Sequence, residues 1–114
     1  MSNIRSFNQE DLARGHVSDK GPGPVVDGKP EFTTFMFDQT RAKVGVWQIT
    51  SGSYRMEYGE NAYEIFTILE GAVEITEDGQ EPCIYNKGDT VIIGGNFRGT
   101  WRTIETVKKA FVSL

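Results

Sequence analysis

From Phe32 to the C-terminus the chain runs as short segments of alternating apolar and polar residues, broken by glycine, asparagine and aspartate. No other feature constrains the fold as much, because a period of two suits strands that bury one face. The pattern predicts strands over 33–38, 43–50, 53–58, 62–70, 72–77, 81–85, 89–94, 99–105 and 108–113. Asp78-Gly79, between Ala72–Glu77 and Glu81–Tyr85, is a hairpin signal, and Gly71 and Gly88 read as two more reversals. Val73 and Ile75 alternate with Glu74 and Thr76, which leaves one face of that strand wet. The 62–70 strand is apolar on both faces, with Tyr63, Ile65 and Leu69 on one and Phe66 and Ile68 on the other. Such a strand needs cover on both sides, from the core on one and from the N-terminal segment or a second subunit on the other. Many short strands in 114 residues predict one all-β domain, a sandwich or small barrel.

Residues 1–30 read as a short polar N-terminal lead-in, and 31–114 as the folded domain. Asn8 is placed to cap a short helix through Gly15. Gly21-Pro22-Gly23-Pro24 and Asp27-Gly28-Lys29-Pro30 are turn chemistry, and His16 reads as a solvated loop residue. Met1 to Gly15 contains no apolar stretch of signal-peptide type, and no run approaches the ~20 residues that span a bilayer. The expectation is a cytoplasmic protein with no membrane partner. With twelve basic against sixteen acidic side chains and a pI near 5.0, no nucleic-acid partner is expected either. A single cysteine, Cys83, cannot form an internal disulfide and reads as a buried apolar thiol. A single histidine excludes any site built from several imidazoles.

The spacing Gly52-x5-Tyr58-x-Glu60-x3-Glu64-x6-Gly71 resembles the first motif of the cupin superfamily, in which two histidines stand at the positions of Tyr58 and Glu60. Gly88-Asp89, followed by a strand ending near Gly94-Gly95-Asn96, resembles the second motif, with Gly99 where its histidine is expected. Gly45-Val46-Trp47, Glu64 to Gly71, Phe97-x-Gly99-x-Trp101 and Glu105-Thr106-Val107-x-Lys109 narrow the likeness. They resemble a small family named for the cupin domain of ureidoglycine aminohydrolase and related to the ethanolamine-utilisation cupins. The resemblance spans about residues 33–113. It implies a double-stranded β-helix, the cupin or jelly-roll barrel, assembled as a homodimer.

Position by position, the family's three histidines and one glutamate become Tyr58, Glu60, Gly99 and Glu64. Only Glu64 is retained, so no metal or other cofactor is expected. Alternation puts Tyr54, Met56, Tyr58 and Glu60 on one face of their strand, and Glu64, Phe66 and Ile68 on one face of the next. If Glu64 points inward, as its motif position implies, the barrel mouth holds Tyr58, Glu60 and Glu64, with Trp101 joining from the other sheet. The parity of Trp47 is ambiguous, because Val44 and Val46 argue for the opposite face. Two carboxylates in a low dielectric cannot both ionise cheaply. Arg98 or Arg102 reaches in, one carboxyl keeps its proton, or a cationic ligand supplies the missing charge. The third solution makes the chain a small-molecule-binding cupin for an amine or other small cation. Tyr58, Trp101, Tyr54, Phe66 and Trp47 would then contact the ligand. The alternative is a small hydrolase, lyase or isomerase, aminohydrolase-like by family. It would use Glu60 and Glu64 as an acid/base pair or as weak metal ligands.

Overall fold

The computed structural model describes residues 3–8, 16–18 and 21–114. Among the described residues every regular element is a strand. In chain order they are β1 (His16–Ser18), β2 (Val25–Gly28), β3 (Phe32–Asp38), β4 (Lys43–Ile49), β5 (Gly52–Glu57), β6 (Glu64–Glu77), β7 (Cys83–Asn86), β8 (Thr90–Ile93) and β9 (Arg98–Ser113). All pairings are antiparallel. The expected helix from Asn8 to Gly15 lies outside the described residues, apart from Asn8 itself.

Two long strands, β6 with 14 residues and β9 with 16, pair along their whole length from Glu64↔Ser113 to Glu77↔Gly99. Each belongs to two layers. In the first, β8, the first half of β6, the second half of β9, β4, β3 and β1 lie side by side. In the second, β7, the second half of β6, the first half of β9, β5 and β2 do so. The sheet curls on itself between the halves, where the β6–β9 register slips at Ile68/Glu70, Glu70/Ala72 and Ala72/Val73. Gly71 sits there with φ 83°, and a Cβ on it would run into the carbonyl of Thr106. Gly71 therefore bends one strand instead of reversing the chain. The expected strand pairs 62–70 with 72–77 and 99–105 with 108–113 are each one continuous strand. Local turn signals lose here because β6 and β9 keep each other paired through the bend.

The Asp78-Gly79 hairpin forms as expected, with Gly79 at φ 81° and the Gln80 N–H donating to the Glu77 carbonyl. The lead-in contributes two edge strands: β1 pairs with β3, which places His16 in a strand, and β2 pairs with β5. Cys83 is exposed on edge strand β7, not buried. The acidic stretch of β6 meets basic residues of its own chain, with Glu74 on Arg102 at 3.1 Å and Glu70 near Lys108 at 3.9 Å. Asp78 likewise pairs with Arg55 at 2.8 Å. The core lies between the layers. Phe66, Ile68, Val107 and Phe111 from one meet Tyr54, Met56, Val73, Ile75 and Trp101 from the other. The outward residues Tyr63, Ile65 and Leu69 of the two-faced segment remain 36–40% exposed.

Candidate functional site

At the centre of the barrel one carboxylate is held between a phenol and an ammonium. Glu64 opens β6 with its side chain turned inward. Its Oε1 accepts the Tyr58 hydroxyl at 2.7 Å, and its Oε2 accepts Lys109 Nζ at 3.3 Å. Lys109 stands in β9 with Trp47 of β4 on one side and Ile68 of β6 on the other. Its side chain points between the layers. Nζ lies 4.3 Å from the ring centre of Phe66, 4.7 Å from Trp101 and 5.0 Å from Trp47. The residue is 1% exposed. An unpaired ammonium at such a depth would be prohibitively costly. Here the carboxylate and three ring faces together replace its water shell. Burial still pushes the Lys109 ammonium below the ordinary lysine value, and the charge and hydrogen bond of Glu64 pull the other way.

The phenols belong to the same cluster. Burial raises the Tyr58 hydroxyl far above its usual value, and the charge of Glu64 and the hydrogen bond to it add to the effect. Tyr58 is therefore a proton donor to Glu64 and not a phenolate. Tyr54 is fully buried, stacked on Trp101 at 5.9 Å and edge-on to Phe32 at 5.4 Å. Its hydroxyl is also raised, by burial first and then by the charges of Tyr58 and Glu64. Tyr54 Oη is a buried polar atom without a hydrogen-bond partner among the described residues. Trp101 is anchored by its indole N–H, which donates to Thr103 Oγ1 at 2.9 Å.

Above the cluster a cavity of about 440 Å³ opens to solvent. Trp47, Tyr58, Phe111 and Met36 form its walls, Glu64 lies in its floor, and Lys43 and Glu57 stand at its exposed rim. A larger cavity of about 530 Å³ lies on the side of β7 and β8, lined by Ile75, Val91, Ile93 and Phe97 with Glu77 and Glu81. The smaller cavity is the better candidate site. Of the two, among the described residues, it is the one whose lining includes a buried, oriented carboxylate, Glu64.

Glu64, Tyr58, Tyr54, Phe66, Trp101 and Trp47 are thus brought together. Trp47 faces inward, and the ambiguity of its parity arises because Val46, on the opposite face, is buried as well. Glu60 is not brought in. Strand β5 ends at Glu57, and the chain turns over 58–62, where the Tyr58 N–H donates to the Phe97 carbonyl and the Ala62 N–H to the Gly59 carbonyl. Alternation cannot run through that turn, and Glu60 is exposed on it. The paired-carboxylate problem does not arise. Neither expected arginine enters: Arg98 donates to the carbonyls of Tyr58 and Phe97, and Arg102 pairs with Glu74 at the surface. Lys109 supplies the charge instead. Its inward direction was legible, since Val107, Lys109 and Phe111 share one face of an alternating strand.

The donors present do not fit a transition metal. Tyr58 keeps its proton, Glu60 is exposed on the 58–62 turn, and Glu64 is engaged with an ammonium. Gly99 has no side chain to offer, and a Cβ there would run into the Thr76 carbonyl. Among the described residues no three His, Cys, Asp or Glu side chains gather in a metal-holding group.

A family model described as the EutQ-like cupin domain matches residues 38–111. Three solved structures share the fold. The EutQ protein of Clostridium difficile superposes with a TM-score of 0.65 at 14% identity, over 74% of this chain and 62% of that one. A DUF861 family protein of Thermotoga maritima gives 0.54 at 29% identity, over 58% of this chain and 73% of that one. Ectoine synthase from P. lautus gives 0.71 at 16% identity, over 96% and 77%. This chain therefore spans about three fifths of the C. difficile protein. Among curated proteins none matches the sequence.

Proposed function

The chain belongs to the EutQ-like cupin family, and on that premise we propose that it is a small-molecule-binding cupin whose centre works without a histidine-held metal. The observation that carries this reading is the cavity above Glu64. It has apolar and aromatic walls, an opening to solvent, and in its floor a carboxylate oriented by Tyr58 and Lys109. A carboxylate has about four acceptor positions, so Glu64 can still accept an N–H or O–H. From the sequence alone, a cationic ligand is one of three ways to offset two carboxylates. With one carboxylate already neutralised by Lys109, the ligand that fits is a small amine-bearing or amide-bearing molecule of low net charge. Lys43 and Glu57 at the rim suit a zwitterion. A thermal-shift panel of small amines, amides and amino acids tests the proposal. N–H donors should stabilise the protein, and their gain should vanish in Glu64→Gln. No response to any of them at millimolar concentration rejects it.

A catalytic reading keeps one supporting observation, the Tyr58–Glu64 hydrogen bond, which could move a proton to or from a bound molecule. A pH–rate profile on a ligand found by the panel would separate turnover from binding. We also propose that the chain pairs with a second copy through the outer face of the first layer. Ile92, Ile65 and Val112 stand side by side there across β8, β6 and β9, each 36–60% exposed. Sedimentation at micromolar concentration should give a dimer, and a monomer would overturn the pairing.

A further inference from the structure

Lys109 Nζ has the surroundings of a bound cation. Three aromatic faces lie at 4.3, 4.7 and 5.0 Å, and one carboxylate oxygen at 3.3 Å. The rings come from three strands in both layers of the barrel: Trp47 from β4, Phe66 from β6 and Trp101 from β9. Trp101 and Phe66 are themselves fully buried and packed on each other at 5.7 Å. The arrangement is a cage with a counter-charge, which is how proteins recognise alkylammonium ligands. The remaining difference from a receptor is the methylene chain that ties this ammonium to β9.

We propose that the barrel centre is an internal cation site filled by the chain's own Lys109, and that this tethered ammonium closes the centre to small free cations. Glu64 and the three rings form the receptor, and Lys109 is its resident ligand. The site lies beneath the solvent-open cavity, so the inference stands whether or not that cavity takes a ligand.

The test empties the cage and refills it. Lys109→Ala removes the atoms from Cγ to Nζ, which is the volume and charge of n-propylammonium. Thermal unfolding of the wild type, Lys109→Ala and Lys109→Met is followed in n-propylammonium chloride, in n-propanol and in sodium chloride of matched ionic strength. The Lys109→Ala protein should gain stability saturably with n-propylammonium, by at least about 3 °C more than with n-propanol. Any effect of the amine at the cavity above is common to the wild type, so the gain of Lys109→Ala is read as the excess over the wild type and over Lys109→Met, whose cages are filled. If Lys109→Ala does not fold alone, its refolding yield is the readout, and n-propylammonium should raise it where n-propanol does not. Equal effects of the amine and the alcohol would overturn the proposal. So would the same amine effect in the wild type, or no recovery of Lys109→Ala by the amine.

Discussion

Glu64→Gln offers a quantitative examination of the buried pair. The substitution keeps the shape of the side chain and a carbonyl oxygen for the Tyr58 hydroxyl, but removes the charge facing Lys109. An ammonium that is 1% exposed then has no counter-ion. The variant has two options: hold the unpaired charge, or fold with Lys109 neutral. Discharging a lysine of ordinary pKa at pH 7 costs about 1.36 kcal/mol for each of some 3.4 units, or about 5 kcal/mol. That figure is a ceiling, because the charged option is taken only if it is cheaper. It agrees with the ~3–5 kcal/mol typical of removing one partner from a buried pair. The pH dependence distinguishes this cause from lost packing. With Lys109 neutral in the folded variant, the unfolded chain binds one more proton between pH 7 and about 10.4. Stability of the variant then rises by about 1.4 kcal/mol per pH unit over that range. The wild type, with Lys109 charged at pH 7, gains less over the same interval. Burial lowers the ammonium's pKa there too, but the charge and hydrogen bond of Glu64 oppose the shift, so its gain is the smaller one. The deficit of Glu64→Gln should therefore be largest near pH 7 and shrink toward pH 10. Urea unfolding followed by the fluorescence of Trp101 and Trp47 at pH 7, 8, 9 and 10 measures it. A deficit under about 1 kcal/mol at pH 7 would refute the reasoning, as would one that does not change with pH.

Above pH 10 the same cluster should fail through its phenols. Tyr54 and Tyr58 are raised by burial in the folded state, so their contribution is complete below pH 10 and is lost as pH climbs beyond it. Phenolate absorbance near 295 nm from these two of the four tyrosines should appear only together with unfolding. Their ionisation while the fold persists would contradict the burial argument. At the bend, Gly71→Ala forces a residue with φ 83° to carry a Cβ against the Thr106 carbonyl. A loss of at least about 1–3 kcal/mol is expected by denaturant titration. A neutral result would mean that β6 does not need this bend.

Alternation and glycine placement in the sequence by themselves determined that the chain is all-β and where most strands lie, because inward and outward positions follow from a two-residue period. Alternation also groups Glu64 with Phe66 and Tyr54 with Tyr58, and the cupin likeness turns those faces inward, whereas Lys109, which shares a face with Val107 and Phe111, is missed. Tertiary structure alone decided what stands across the barrel from each. Lys109 meets Glu64 from 45 residues away through the β6–β9 register, a pairing that no local pattern encodes. Glu60 left the site because β5 stops where the Phe97 carbonyl captures the Tyr58 N–H, again a non-local contact. Gly71 looks like a turn when read along the chain and is a bend once β9 pairs through it. The physical reason is common to all three. A side chain's direction is a local property of a strand, whereas the charge, carbonyl or strand it meets is set by which distant segment folds beside it.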